Sequence, residues 1–257
     1  MMQNIAKKNI IHTIVVAAGA GKRFGANIPK QYCQIHGKTV LEHTVSALSQ
    51  VSVIDSCYLV VAADDGWAKS LNFELPIHWV VGGAERMHSV YHGVCAVAKD
   101  VQNATIDLQS HWVLIHDAGR PCVNPKDIEN LIHTVCDKNY QSGGLLATPI
   151  KDTVKQHRLV QNFQNQCLVS EKTLDRSVLW LAQTPQLFPL TDLYAFLTRA
   201  IEDSIAFTDE ASLFEYFGKK PLLVAGSQQN IKLTFAEDLQ FAEVFLSKNF
   251  CKNSFVG

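Results

Sequence analysis

Three cations near the start of the chain are spaced so that they can bind a phosphate-bearing ligand. In the stretch VVAAGAGKRFGANIPKQY, an apolar run leads into a glycine-rich turn that carries Lys22 and Arg23, and Lys30 follows seven residues later. A glycine-rich turn after the first strand of an α/β sheet commonly brings backbone N–H groups against phosphate oxygens. Fixed cations beside it stabilise the charge that develops during transfer at a phosphorus atom. The stretch therefore favours a nucleoside triphosphate as ligand.

Two familiar phosphate-binding patterns do not fit this region. The Rossmann fingerprint requires a third glycine where Gly19-Ala-Gly21-Lys-Arg-Phe24 has phenylalanine. Gly37-Lys38-Thr39 resembles the end of a P-loop, but the glycine that should precede it by five residues is Tyr32. For the stretch VVAAGAGKRFGANIPKQY taken alone, an ordinary strand-to-helix turn with solvated cations is the alternative interpretation.

Two later stretches have residue types that suit the same ligand. GGAERMHSV (82–90) places Arg86 and Ser89 near a predicted helix start, where free N–H groups and a hydroxyl can contact a nucleotide base. HDAGRPC (116–122) ends a predicted strand, where Asp117 is suited to orient a phosphate-bound Mg²⁺ or to bind a ribose hydroxyl. A turn-capping role for Asp117 is the alternative. His116 closes a buried strand, so we assign it no proton-transfer role.

Composition limits the classes of partner. The 257 residues are 47% apolar and have a formal net charge of −1, which predicts no general attraction to nucleic acid or to an anionic membrane. No uninterrupted apolar segment approaches the roughly 20 residues that cross a bilayer. The seven cysteines are scattered without a CxxC or metal-ligand spacing, which indicates a reduced, cytoplasmic protein.

Short β-branched runs alternate with longer helical patterns along the chain. This alternation predicts an α/β protein with a Rossmann-like, mostly parallel sheet and helices on both faces, in a single domain spanning 1–257. The predicted strands are Ile11–Ala17, Cys57–Ala63, Ile77–Val81, Trp112–His116, Gly144–Pro149 and Leu222–Ala225. The predicted helices are Thr39–Ser49, Glu85–Lys99, Pro125–Lys138, Leu190–Ile201, Asp209–Tyr216 and Phe235–Ser247. Capping boxes are predicted at Thr39 and Thr234, and an N-cap at Asn124.

The segment from Lys151 to Leu181 departs from this pattern. Polar and β-branched residues alternate in it without a helical face, which predicts a long hairpin, or β-arm, with its tip near Gln161–Gln166. The arm is either a surface excursion or an element that docks on a partner subunit.

The motifs taken in order resemble one enzyme family. They are AAGAGKRFG…PKQY, GG..R..SV, HDAGRPC, DTVK, TLDR…LW…TPQ.F, TDEAS and NIKLT..EDL, from about Ile14 to Leu239. The set resembles the 2-C-methyl-D-erythritol 4-phosphate cytidylyltransferases of the non-mevalonate isoprenoid pathway. The resemblance implies that the phosphate of methylerythritol phosphate attacks the α-phosphorus of CTP and releases pyrophosphate. It also implies Mg²⁺ or another divalent cation, held mainly by the CTP phosphates, with Asp117 as the candidate residue near it.

The resemblance also assigns the site residues. Arg23 and Lys30 are expected to stabilise the transition state, and Arg176 and Lys232 to position the sugar phosphate. Thr153 and Thr208 are expected near the sugar phosphate. The expected nucleotide site is lined by Ala17, Ala18, Gly19, Gly21, Gly83, Ser89, Asp117, Ala118 and Arg120. In the family the arm is exchanged between the subunits of a homodimer, which predicts a site shared by two chains.

Some positions depart from the family pattern, and two other functions compete. Val16 stands where many relatives have proline, Gly119 replaces the second alanine of HDAARP, and Ala236 replaces the proline of TxPEDL. None of these changes removes a cation that the resemblance assigns to the site. A cytidylyltransferase for another polyol phosphate, such as ribitol 5-phosphate, is the nearest alternative. A nucleotide-binding protein without catalysis is a second one, against which the retained cations argue.

Overall fold

A computed structural model of the chain describes residues 9–19, 24, 28–104, 110–162 and 165–247. The strands in these ranges are β1 (Ile10–Val16), β2 (Gln34–Ile35), β3 (Lys38–Thr39), β4 (Cys57–Val61), β5 (Ile77–Val81), β6 (His111–Asp117), β7 (Gly144–Pro149), β8 (Val154–Asn162), β9 (Asn165–Leu174), β10 (Trp180–Pro189) and β11 (Leu222–Ala225). The α-helices are α1 (Val40–Ser49), α2 (Arg86–Ala104), α3 (Pro125–Ile132), α4 (Leu190–Glu202), α5 (Glu210–Tyr216) and α6 (Asp238–Phe245). None of these helices is long and apolar enough to cross a membrane.

Seven strands form the central sheet, in the order β11-β7-β10-β6-β1-β4-β5. Parallel pairing joins β1 to β4 and β6, β4 to β5, and β7 to β11, while β10 runs antiparallel between β6 and β7. The predicted α/β class with a mostly parallel sheet is therefore confirmed.

The central strands contribute to two cores, one on each face of the sheet. In β6, Trp112 and Leu114 pack in the core that α1 and α3 cover, whereas Val113 and Ile115 pack with α2, α4 and α5. Successive side chains of a strand point to opposite faces, so a strand buried on both sides must be apolar throughout. This explains the continuous apolar runs by which β1, β4 and β6 were predicted.

The strand β10 was not predicted. The prediction ended the arm at Leu181 and gave no strand to the residues after it. Pro185 and Pro189 interrupt the apolar pattern there, and proline cannot donate to a sheet ladder. The pairing of β10 with β7 shifts its register between Ala182 and Gln186, so the proline lies in an irregularity of the ladder.

The predicted β-arm is confirmed as a separate two-stranded sheet. β8 and β9 pair antiparallel from Val154↔Leu174 to Asn162↔Asn165. Residues 163–164, which belong to the predicted tip, lie outside the described residues. A short 3₁₀ turn at Arg176–Val178 then connects the arm to β10.

Two of the three predicted helix starts are confirmed. Thr39 forms a capping box with Glu42, and the side chain of Asn124 accepts a hydrogen bond from the backbone N–H of Lys126. The capping box at Thr234 is wrong, because α6 begins at Asp238. The Asp238 carboxylate instead accepts hydrogen bonds from the backbone N–H groups of Thr234 and Phe235, which competes with an earlier start.

The segment that resembled a P-loop ending forms a hairpin. β2 and β3 pair antiparallel, and the two residues between them, His36 and Gly37, have φ values of 48° and 80°. Positive φ at both central residues is the geometry of a type I′ hairpin turn, in which glycine is favoured. Gly37 therefore serves chain reversal.

Candidate active site

A cavity of about 470 Å³ opens at the carboxyl ends of β1 and β6, beside the start of α2. Open α/β sheets bind ligands in this position. The cavity lining includes nine predicted ligand-binding residues: Ala17, Ala18, Gly19, Lys30, Gly83, Ser89, Asp117, Ala118 and Lys232. Gly21, Lys22 and Arg23 lie outside the described residues. The fold thus brings together residues from four distant stretches of the chain.

The backbone that leaves β1 is held in place by Gln31. This side chain is buried, and its amide nitrogen donates a hydrogen bond of 2.8 Å to the carbonyl oxygen of Ala17. A second contact, of 3.4 Å, reaches the carbonyl oxygen of Gly19. Gln31 lies in the short 3₁₀ turn Lys30–Tyr32, so the PKQY motif supplies both a cation and a support for the loop.

Lys30 reaches across the cavity to the segment that contains Lys232. Its ammonium group donates a hydrogen bond to the carbonyl oxygen of Leu233, and the backbone N–H of Leu233 in turn donates to the carbonyl of Gly119 at 2.8 Å. A Cβ atom at Gly119 would lie 3.2 Å from both Cε and Nζ of Lys30. The absence of a side chain at Gly119 therefore leaves space for the end of the lysine.

The glycine pair after β5 allows two backbones to approach closely. A Cβ atom at Gly82 would lie 2.5 Å from Cβ of Ala18 and 2.8 Å from Oγ of Ser89, and one at Gly83 would lie 2.4 Å from Cβ of His88. The Ser89 hydroxyl accepts a hydrogen bond of 3.1 Å from the backbone N–H of Gly83. Ser89 therefore fixes the conformation of the glycine turn at the edge of the cavity.

Asp117 is the centre of an ion-pair network in the cavity. Its Oδ1 lies 3.0 Å from Nε of Arg86, and its Oδ2 lies 2.7 Å from Nζ of Lys232. Burial alone would raise the pKa of Asp117, but the charges of Arg86 and Lys232 outweigh it and hold the pKa well below its usual range. Asp117 is therefore ionised at neutral pH, and each of its oxygens contacts a cation.

The network extends beyond the cavity to a buried acid, Glu210. The guanidinium of Arg86 contacts both carboxylate oxygens of Glu210, at 2.6 Å through Nη1 and 3.1 Å through Nη2. Glu210 begins α5 and is 3% exposed. The sequence predicted that Arg86 lies near the nucleotide, but it predicted no role for Glu210. Its position in the TDEAS motif was the available signal.

His116 has a structural environment, as its sequence position suggested. It is fully buried, with Nδ1 2.8 Å from the Thr184 hydroxyl and Nε2 3.2 Å from the Arg120 carbonyl oxygen. A carbonyl oxygen can only accept, which assigns the proton of the neutral ring to Nε2. The Thr184 hydroxyl also accepts from the backbone N–H of Asp117 at 3.1 Å. Burial lowers the pKa of His116 to about 4.

Arg120 lies in a second, neighbouring cavity instead of the first. Its Nη1 donates a hydrogen bond of 2.7 Å to the carbonyl oxygen of Asn230. This second cavity, of about 510 Å³, lies at the base of the arm and shares Lys232 with the first. The two cavities thus meet at a cation that the resemblance assigns to the sugar phosphate.

The remaining predicted residues do not join the first cavity within one chain. Arg176 is exposed at the base of the arm, where its guanidinium donates to the backbone carbonyl of Lys151. Thr153 and Thr208 are also exposed. None of the three lines either of the two cavities described above. Their roles stay predictions.

The described residues contain no cluster of three or more His, Cys, Asp or Glu side chains that could hold a metal ion. Asp117 and Glu85 are the acidic residues in the lining of the first cavity. Arg86 and Lys232 already contact the two oxygens of Asp117, and their positive charges oppose the binding of a further cation there. The donor set fits a metal ion carried on a triphosphate better than one held by the protein.

This cleft, at the carboxyl edge of a Rossmann-like sheet and with lysines from two distant parts of the chain, has the form of a nucleotidyltransferase site. The chain belongs to the IspD family, 2-C-methyl-D-erythritol 4-phosphate cytidylyltransferase, whose model matches residues 11–248.

Relatives with the same name match over most of their length. The 2-C-methyl-D-erythritol 4-phosphate cytidylyltransferase of Psychrobacter arcticus is 43% identical over 254 residues, which is 89% of this chain and 88% of that protein. The Vibrio vulnificus protein of this name is 41% identical over 237 residues, covering 91% of this chain and 94% of its own. The crystal structure of the Francisella tularensis protein superimposes with a TM-score of 0.74 at 32% identity, covering 93% of this chain and 100% of that one.

Proposed function

We propose that this chain transfers the cytidylyl group of CTP to 2-C-methyl-D-erythritol 4-phosphate in the non-mevalonate isoprenoid pathway. A phosphate oxygen of the acceptor forms a bond to the α-phosphorus of CTP, and the bond from that phosphorus to the β-phosphate oxygen breaks. The products are 4-diphosphocytidyl-2-C-methyl-D-erythritol and pyrophosphate. Family membership supports this reaction.

The placement of two lysines is the observation in the cleft that carries the proposal. Lys30 contacts the carbonyl of Leu233, and the adjacent residue, Lys232, contacts Asp117. Two phosphate-bearing substrates repel each other, so their encounter requires fixed cations close to both. We assign the triphosphate to Lys30, together with Arg23, and the acceptor phosphate to Lys232.

The nucleotide would lie along the glycine-lined side of the cavity. Gly83, Ala84 and Ser89 line that side, and their small or absent side chains suit the approach of a flat base to the backbone. Asp117 and Ala118 line the side between the two lysines, which suits a contact with the ribose. No covalent protein nucleophile is needed, because positioning and charge stabilisation carry most of the catalysis in phosphoryl-transfer chemistry.

Mg²⁺ or another divalent cation would arrive bound to the CTP phosphates, whose charge it would share. The two cations that already contact Asp117, Arg86 and Lys232, support a metal held mainly by the nucleotide. Among protein side chains, at most Asp117 would contact the metal. The main charges that the protein supplies to the phosphates would be those of Lys30 and Lys232.

We further propose a homodimer in which the arm completes the site of the partner subunit. The exposed positions of Thr153 and Arg176, outside the cavities of their own chain, support this arrangement. The arm also exposes apolar side chains, with Leu159 55% and Leu168 65% accessible in the single chain.

We expect the enzyme in the cytoplasm, since the six described cysteines form no disulfide with one another.

The test is an assay of the purified chain with CTP, Mg²⁺ and one acceptor at a time, with pyrophosphate as the measured product. We expect the highest kcat/KM with 2-C-methyl-D-erythritol 4-phosphate. Faster turnover of ribitol 5-phosphate would overturn the choice of acceptor. CTP binding in a calorimeter without pyrophosphate release from any acceptor would support the non-catalytic alternative.

A further inference from the structure

Glu210 is a buried acid outside the cavity that contacts Arg86, one of the cations in the cavity lining. The start of α5 is fixed by Asp209, which caps the helix through Ser212, and by Gln186 of β10. Gln186 accepts from the backbone N–H of Ala211 and donates to the Asp209 carboxylate. The backbone that carries Glu210 is therefore anchored to the central sheet.

The four side chains of the network alternate in charge. Glu210 contacts Arg86, Arg86 contacts Oδ1 of Asp117, and Oδ2 of Asp117 contacts Lys232. Two carboxylates and two cations balance, so the network has no net charge. Arg86 divides its guanidinium between two acids, using Nη1 and Nη2 for Glu210 and Nε for Asp117.

This division of contacts leaves one oxygen of Asp117 to Lys232. A guanidinium favours bidentate pairing with a single carboxylate, in which two N–H groups meet two oxygens. Without the charge of Glu210, Arg86 would favour both oxygens of Asp117. The Lys232 ammonium, whose side chain is 40% exposed, would then lose its contact with Oδ2.

We propose that Glu210 is a positioning residue that prevents Arg86 from pairing fully with Asp117 and thereby keeps Lys232 in place for the acceptor phosphate. Glu210 itself contacts no substrate. The proposal rests on the proposed function, because it uses the assignment of Lys232 to the sugar phosphate.

The test compares Glu210→Gln with Glu215→Gln, an exposed acid on the same helix. For Glu210→Gln we expect the KM for 2-C-methyl-D-erythritol 4-phosphate to rise about tenfold, while the KM for CTP changes less than about threefold. Glu215→Gln should keep both values. An unchanged acceptor KM in folded Glu210→Gln would overturn the proposal, as would an equal rise in both KM values.

The double variant Arg86→Gln/Glu210→Gln separates positioning from a general effect on the fold. Removing the guanidinium removes the group that competes for Asp117, so the acceptor KM should fall back by about threefold or more from that of Glu210→Gln. If the two substitutions instead damaged the fold, their effects on the acceptor KM would add. An acceptor KM of the double variant that equals or exceeds that of Glu210→Gln therefore contradicts the proposal.

If Glu210→Gln does not fold, Glu210→Asp keeps the negative charge but withdraws it by one methylene group. We then expect a rise of about threefold in the acceptor KM, and no rise would count against the proposal. If the unmutated chain does not use this acceptor, the proposed function is refuted. If the unmutated chain is active but its Glu210 variants do not differ from it as stated, the role proposed for Glu210 is refuted.

Discussion

The ammonium group of Lys30 donates a hydrogen bond to the backbone carbonyl of Leu233, the residue next to Lys232. Lys232 in turn contacts Asp117, and the N–H of Leu233 contacts the carbonyl of Gly119. Residues 232–233 and 117–119 thus form one support on which both lysines are placed. The two lysines that we assign to the substrate phosphates therefore lie beside the same contact between residues 117–119 and 232–233.

Replacement of Lys30 by alanine should mainly lower kcat. If this cation meets charge that forms only in the transition state, Lys30→Ala should reduce kcat by about 100-fold or more. Steady-state kinetics with CTP varied at saturating acceptor measure this effect. Lys38→Ala, at an exposed lysine paired with Glu74, is the control and should retain activity. A raised KM with normal kcat would contradict the role of Lys30.

Replacement of Gly119 by alanine should disturb Lys30 without unfolding the protein. The new Cβ atom would lie 3.2 Å from Nζ of Lys30, so the lysine must move by a few tenths of an ångström. Because small misplacements of catalytic groups are costly, we expect kcat to fall by about two- to fivefold. Gly66→Ala is the matched control, since its Cβ would meet nothing within 4 Å. Equal kcat for both variants would show that Lys30 tolerates the contact.

Loss of the Gln31 amide should weaken CTP binding. Gln31→Ala removes the hydrogen bonds to the carbonyl groups of Ala17 and Gly19, which line the nucleotide side of the cavity. We expect the KM for CTP to rise about tenfold because the loop is then less well ordered for binding. Gln50→Ala removes an exposed amide that also contacts a backbone carbonyl and should have no kinetic effect. Similar kinetics for the two variants would argue against the supporting role of Gln31.

The neutral form of His116 should make stability fall as the solution becomes acidic. Burial lowers the pKa of His116 from 6.5 to about 4, so between these values the unfolded chain binds the proton and the folded chain does not. The free energy of unfolding should therefore decrease between pH 7 and pH 5, with His116 contributing up to about 2 kcal/mol of that decrease. Urea unfolding of the unmutated chain and of His116→Asn at both pH values measures the difference. Equal losses in the two proteins would show that His116 does not contribute.

Mixed dimers should reveal whether the arm acts across the subunit interface. Arg176→Ala chains and Lys30→Ala chains should each have low activity alone. If the arm of one chain serves the site of its partner, a mixed dimer contains one site with both residues intact and should regain up to about half of the native activity per dimer. Activity is measured after the formation of mixed dimers is verified with two affinity tags. Verified mixed dimers that stay inactive would indicate that Arg176 acts within its own chain.

The sequence by itself determined the α/β class, most element positions and the identity of the family. Apolar runs at β1, β4 and β6 and the cap at Thr39 are local signals, because burial on both faces and helix capping each depend on residues close in sequence. The alternation of β8 and β9 likewise indicated the arm. These features require no knowledge of distant contacts.

The tertiary structure decided which residues, distant in sequence, contact one another in the site. Glu210 and Asp117 are 93 positions apart, yet both contact Arg86, and the contact between Lys30 and Leu233 spans 203 positions. Strand β10 was missed for a related reason. Its two prolines argue locally against a strand, but pairing with β6 and β7 on either side outweighs this local preference. Only the folded chain fixes such arrangements, because burial and ion pairing depend on which segments the sheet brings to the same edge.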